Sequence, residues 1–143
     1  MPTRNADAVW TGNLLEGKGQ ISLGSNAFSG SYDWRGRSGD GAGTNPEELL
    51  AAAHAGCFSM ALSAELSKAG HPPKQIQTVA KVTFDKQGEG FAVTGIALTT
   101  QADVPGIDDA TFQKFATGAK ENCPISKAIS ATPITLDAKL LNR

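Results

Sequence analysis

The stretch from Thr44 to Pro73 constrains the fold more than any other part of the chain. "TNPEELL" (44–50) has the features of a helix start. Thr44 or Asn45 can cap, Pro46 suits the first helical position, and Glu47 and Glu48 complement the positive end of the dipole. The helix is expected to run to about Ala69 and to stop at "GHPP" (70–73), where a glycine followed by prolines ends helices. Between these ends, "AAAHAGCFSMALSAEL" (51–66) is apolar almost all round. Such a helix has no solvent face of its own, so the sequence predicts a central helix covered on most sides. His54, Ser59 and Ser63 interrupt it and Glu65 and Lys68 follow, so it is expected to fall short of a membrane-spanning segment.

The flanking segments fit around that helix. Residues 7–14, 18–24 and 30–37 read as three strands with Gly and Asn between them, and "SGDGAG" (38–43) as a loop, which makes the first third an antiparallel meander. Residues 77–87 alternate, with Val79, Lys81, Thr83 and Asp85 on one face and Ala80, Val82 and Phe84 on the other. "GEG" (88–90) reads as a hairpin turn into a second strand, 90–104. Residues 105–123 begin with Asp capping candidates and continue as an amphipathic helix, with Phe112, Phe115 and Ala119 at helical spacing. A short helix restarts at 123–130 with Pro124 in first position, and 133–141 is a closing strand. Strands, a long helix, strands, shorter helices and a strand make an α+β pattern rather than an alternating one. The 143 residues suit a single domain, 1–143, with a real core.

Composition narrows the function classes. The apolar fraction is 40%, the charged fraction 19% and the net charge −1, which excludes a disordered chain and gives no electrostatic pull toward nucleic acid or anionic membrane. "MPTRNADAVW" is polar, so no secretory signal is expected and the cytoplasm is the expected location. In that reducing compartment two cysteines are expected to be free, catalytic or redox-active rather than a permanent bridge.

Cys57 shares a helical face with Leu50, Ala53, Met60, Ala61 and Ala64. It is a core-filling cysteine or a reactive thiol set in an apolar helix. Gly56 costs about 1 kcal/mol against alanine within a helix, which suggests that something approaches closely beside Cys57. Cys123 stands at the N-cap of the "PISK" turn, where open amides favour a thiolate. His54, one turn before Cys57, is a base, a ligand or a core histidine. A zinc site of His54, Cys57 and Cys123 lacks a fourth ligand and matches no zinc spacing. Burial disfavours a Cys57 thiolate, so reactivity requires a cation from elsewhere, and Arg35 and Arg37 in "DWRGRSGD" are the candidates.

"GTNPEELLAAAHAGCFSMALSAEL" (43–66) together with "NCPISKAI" (122–129) resembles the OsmC/Ohr family, in its osmotically inducible branch. "DAVWTGNLLEGKGQISLGS", "VPGID" and "ITLDAKL" extend the likeness over the whole chain. Glu48, where the other branch has Gln, and His54, which that branch lacks, select the branch. The resemblance implies a thiol-dependent peroxidase of organic hydroperoxides, in oxidative or osmotic stress defence. It also implies an α+β fold of antiparallel sheets with a long central helix, and an intertwined homodimer with interface active sites. It makes Cys57 the peroxidatic cysteine, Cys123 the resolving one, Arg37 the active-site arginine and Glu47 its carboxylate partner. After the arginine the family commonly has an apolar aromatic and an acid, and this chain has Ser38 and Gly39. Arg35, expected on the same strand face as Arg37, is a candidate to share its role.

Glu47 and Cys57 stand ten residues apart, about 15 Å along one straight helix, so Arg37 bridges them or one of them comes from another subunit. The implied cycle uses an external thiol or dithiol as reductant and needs no metal, flavin or haem. Three other readings remain open at this point. Cys57 with His54 as base would make an acyl-transfer pair, Cys57 oxidising once would make a non-enzymatic redox sensor or small-ligand-binding dimer, and two inert cysteines would make a purely structural dimer.

Overall fold

In the computed structural model, which describes residues 1–141, short turns fold the N-terminal segment into β1 (Ala6–Thr11), β2 (Lys18–Leu23) and β3 (Ser29–Tyr32). They form an antiparallel sheet in the order β1-β2-β3. Trp10 and Tyr32 meet across the middle strand with ring centroids 5.4 Å apart. Gly19 is the cross-strand partner of both, and a side chain there would collide with both rings.

The third strand is shorter than its alternation suggests. At Asp33 the chain turns: Asp33 Oδ1 accepts a hydrogen bond from the Gly36 amide at 2.7 Å and starts α1 (Trp34–Ser38). Arg35 and Arg37 are therefore helical rather than on a strand. Two residues apart on a helix they diverge by about 200°, whereas on a strand they would share a face. The Thr44 amide then bonds Ser31 O at 2.9 Å, and Thr44 bridges Tyr32. These residues belong to a first compact unit, 1–49.

Helix α2 (Pro46–Lys68) has the ends its sequence encodes. Asn45 Oδ1 accepts from the Glu48 amide at 2.7 Å, and the Thr44 hydroxyl donates to Glu48 Oε2 at 2.8 Å. At the far end, the Gly70 amide bonds Ser67 O at 3.0 Å and the His71 amide bonds Leu66 O at 2.8 Å. Gly70 is left-handed, at φ 87°, which closes this pattern and favours glycine there.

The second unit begins at Leu50. β4 (Gln75–Gln87) and β5 (Gly90–Asp103) form a long antiparallel hairpin with a register shift at Thr83/Phe84. α3 (Asp109–Asn122) starts at its cap Asp108, whose Oδ1 accepts from the Thr111 amide at 2.7 Å. α4 (Pro124–Ala128) and β6 (Ile134–Leu140) follow. The architecture is the expected α+β one. Antiparallel pairing holds for β1–β3 and for β4–β5, but β6 lies parallel to β5, pairing Leu136 with Leu98. The two helices between β5 and β6 supply the crossover length that parallel pairing requires.

The core of this unit joins Phe58, Leu62 and Leu66 of α2 to Leu98 and Ala102 of β5, to Val104, and to Phe112, Ala116 and Ala119 of α3. Each of the large side chains contributes about 1.5–3 kcal/mol by burial. Only one stripe of α2 is covered, however: His54, Phe58, Leu62 and Leu66, at four-residue spacing. Within its most apolar 18-residue window 22% is buried, and Met60 is 76% exposed. The expectation of a helix covered on most sides is therefore not met within one chain. The helix has close to its expected extent, yet by length and apolarity it matches a membrane span, which the sequence reading did not expect. Its buried stripe packs in a protein core, as in the central helix of a globular domain.

Candidate active site

In the first unit, Arg37 and Glu47 form a two-pronged pair. Arg37 Nε donates to Glu47 Oε1 and Arg37 Nη2 to Glu47 Oε2, both at 3.0 Å. The Glu47 side chain is 10% exposed and that of Arg37 36%. Asp33 caps the helix that presents Arg37, and Asn45 Nδ2 reaches Gly36 O at 3.3 Å, tying that helix to the start of α2. Fork-to-fork geometry of this kind fixes a guanidinium in direction as well as in place. Arg35 does not share the pairing, for the helical reason given above. Beside Arg37 lies a cleft of about 250 Å³ lined by Trp10, Leu14, Tyr32, Asp33 and Trp34.

The second unit brings the two cysteines together. Both are free thiols, Cys57 partly buried on α2 and Cys123 buried at the α3–α4 junction. Each lies near enough to shift the other's acidity. Burial pushes the Cys57 thiol above its ordinary range, the Cys123 sulfur pushes it further, and the Ile125 amide only partly offsets both. Burial acts on Cys123 in the same direction. There it is outweighed by the hydrogen bond from Cys57, by the Ser126 amide and hydroxyl and by the Ile125 amide, so Cys123 lies below the ordinary thiol range. Cys123 Sγ makes no regular capping bond, yet the polar groups of the following turn favour its thiolate. Within this unit the proton thus stays on Cys57 and negative charge leans toward Cys123. The cation that a reactive Cys57 would need is not among these influences.

Cys57 sits beside the buried stripe of α2 rather than in it, so it is not a fully packed core residue. Gly56 faces open space: a Cβ there would meet nothing within 4 Å, so the expected close approach is absent within the chain. His54 is fully buried, and its Nε2 lies 2.7 Å from Ser126 Oγ. Its Nδ1 has no hydrogen-bond partner among the described residues, so the ring is not bonded to Cys57 and the acyl-transfer pair loses its base. Burial holds the His54 ring below its ordinary pKa, which favours neutral imidazole. Among the described residues no three His, Cys, Asp or Glu side chains gather to hold a metal. Ser126 is the site residue that the sequence reading missed. Its position three after the capping Cys123, the spacing of a capping box, is the signal that points to it.

The family model described as OsmC-like protein matches residues 39–139. The chain is 46% identical over 138 residues, 96% of each protein, to peroxiredoxin OsmC of Escherichia coli (strain K12). It is 35% identical over 89 residues, 62% of this chain and 61% of the relative, to an organic hydroperoxide resistance protein of Xanthomonas axonopodis pv. citri (strain 306). Among solved structures, an organic hydroperoxide resistance protein from Legionella pneumophila superposes with a TM-score of 0.70 at 23% identity, covering 94% of this chain and 96% of that one. That last likeness is one of fold.

Proposed function

The chain belongs to the OsmC-like family, and we propose that it reduces organic hydroperoxides with Cys57 as the attacking thiol and Cys123 as the thiol that resolves it. It is a thiol-dependent peroxidase of the peroxiredoxin type. The observation that supports the residue assignment is that two free thiols from distant parts of the sequence, one partly open and one buried, lie near enough for each to shift the other's acidity. The 96% coverage of both chains in the E. coli match supports treating residues 1–143 as one domain.

The Cys57 thiolate attacks the distal peroxide oxygen and the O–O bond breaks. The leaving alkoxide takes up a proton to give the alcohol, and Cys57 becomes a sulfenic acid. The Cys123 thiolate then attacks Cys57 Sγ. The S–O bond breaks, hydroxide leaves as water after gaining a proton, and a Cys57–Cys123 disulfide forms. An external thiol or dithiol reduces that disulfide by exchange.

The cation that Cys57 requires is Arg37, held by Glu47, and it also stabilises charge developing on the alkoxide. Arg37 acts in a homodimer, and the uncovered apolar faces of α2 support that assembly. The aromatic cleft beside Arg37 suits an apolar peroxide tail better than hydrogen peroxide. Two free thiols suit a reducing cytoplasm.

Intact-mass analysis tests the assignment. The reduced protein is treated with one equivalent of an organic hydroperoxide, alongside Cys123→Ser. The wild type is expected to lose two hydrogens, and the variant to gain one oxygen on Cys57. If both thiols survive unchanged, or if peroxide turnover persists in Cys57→Ser, the assignment is wrong.

A further inference from the structure

His54 is the buried titratable group that this cycle leaves unused. It is fully buried, and one of its two ring nitrogens has no partner among the described residues. A leucine would pack here without the cost of an open polar atom. Histidine at this position is therefore explained by what its other nitrogen does. That nitrogen, Nε2, lies 2.7 Å from the hydroxyl of Ser126, itself buried on α4.

The tautomer follows from the unpartnered nitrogen. A neutral ring carries one hydrogen. On Nδ1 that hydrogen would be a buried donor with nothing to receive it, and orphaned buried N–H groups are the rarer and costlier kind. On Nε2 it donates to Ser126 Oγ and leaves only a bare lone pair on Nδ1. A serine hydroxyl has one hydrogen. With Oγ accepting from His54, that hydrogen is free for the Cys123 sulfur, which is buried like Ser126 and stands at the N-cap of the same short helix, three residues before it. The nearest titratable groups in sequence to the bonded pair are Cys57, three residues after His54 on the same helix, and Cys123, three residues before Ser126. Lys127, next to Ser126, is exposed, and burial is the one influence on the ring itself.

We propose that His54 is a positioning residue for the resolving step: its Nε2–H holds the Ser126 hydroxyl turned toward Cys123 Sγ, where that hydroxyl favours the thiolate that attacks oxidised Cys57. The proposal rests on the assignment of Cys123 as the resolving thiol. The chain of contacts runs from His54 through Ser126 to Cys123, so it acts on disulfide closure.

The test is the pH profile of disulfide closure. Reduced protein is mixed with one equivalent of cumene hydroperoxide and quenched at intervals for intact mass, which separates sulfenic acid formation from loss of water. Wild type, His54→Leu, Ser126→Ala, the double variant and His54→Gln are compared. In His54→Leu and Ser126→Ala the closure midpoint is expected to rise by about one pH unit, the worth of one modest hydrogen bond to a charged acceptor. A more basic thiolate is a better nucleophile, so closure is expected to be about threefold slower below both midpoints and about threefold faster above them.

The double variant is expected to move no further than either single one. His54→Gln, whose amide N–H stands near the position of Nε2–H, is expected to retain the wild-type midpoint. An unmoved midpoint in His54→Leu and Ser126→Ala, or a uniform slowing at every pH, overturns the proposal. If His54→Leu does not fold, Ser126→Ala and His54→Gln decide it by the same criteria. A wild-type protein that never oxidises overturns the thiol assignment itself, and shows this before any variant is made.

Discussion

Glu47→Gln isolates the contribution of the two-pronged pair. The wild-type pair makes two charge-assisted bonds of 3.0 Å, with the carboxylate nearly buried and the guanidinium about a third exposed. Gln keeps one neutral acceptor and turns an NH₂ group against the second guanidinium N–H. One bond is weakened and one is lost. Buried bonds to a charged group contribute about 1.5–3 kcal/mol each, and the exposure of Arg37 reduces that, so the net loss is about 1–1.5 kcal/mol. If that energy serves to hold the guanidinium at the Cys57 sulfur, oxidation of Cys57 slows by about five- to thirteenfold near neutral pH. The loss has a pH signature. Burial already holds the Cys57 thiol high, and a poorly held cation leaves it higher, so the rate profile moves toward higher pH and the deficit shrinks as the solution becomes alkaline. Stopped-flow oxidation with one equivalent of hydroperoxide, from about pH 6 to about pH 9, measures this directly. Arg37→Lys is expected to behave similarly, because an ammonium cannot make the fork. A wild-type rate in Glu47→Gln, or an equal loss at every pH, refutes the reasoning.

Two further predictions concern stability. Gly56 faces open space, so Gly56→Ala is expected to gain about 1 kcal/mol from helix propensity and about 3 °C in Tm. A fall in Tm on calorimetry would show instead that the partner protomer of the proposed homodimer packs closely against Gly56. Asp108 is held below the ordinary carboxylate range, first by its side-chain bond with Thr111 and then by the Thr111 amide. A depressed folded value gives stability that is present above the unfolded pKa of about 3.9 and is lost as pH falls through the lower folded one. The advantage of wild type over Asp108→Asn in urea midpoint is therefore expected at neutral pH and should vanish in acid, and a difference constant with pH would rule it out.

Local rules reached much of this fold because most elements carry their own punctuation. Asn45 and Pro46 start α2, Gly70 ends it, Asp108 starts α3, and alternation marks β4. The failures lie where one local rule competes with another. "GSYDWRGR" alternates like a strand, but Asp33 is also a helix cap, and the cap won, which moved Arg35 and Arg37 onto α1. The direction of β6 depends on crossover length rather than on its own residues. The bare covering of α2 was illegible because apolarity says that a face must be covered without saying which chain covers it. At the site, the Arg37–Glu47 and Cys57–Cys123 pairings came from the resemblance rather than from spacing, since each joins residues from different elements. Ser126 was missed because a serine after a capping position is common, and its bond to the distant buried His54 is what singles it out.

The order of acidity of the two thiols supplies the last test. In the second unit charge leans toward Cys123, whereas the proposed first step requires it on Cys57. The cation therefore has to reverse the natural order of the pair as well as stabilise a transition state. Two variants separate the contributions. Cys123→Ala removes the sulfur that raises Cys57 and leaves burial opposed by the Ile125 amide and, if the assignment holds, by Arg37. In that background Arg37→Ala is expected to raise the Cys57 midpoint by about 1–3 units, the range for an opposite charge at close distance. Thiolate absorbance in the ultraviolet, titrated in both proteins, reads it. In Cys57→Ala, Cys123 loses the hydrogen bond that most lowers it, and its midpoint should rise. Equal Cys57 midpoints with and without Arg37 would mean that some other cation activates the thiol, and Glu47 would then be holding an arginine that takes no part in the reaction.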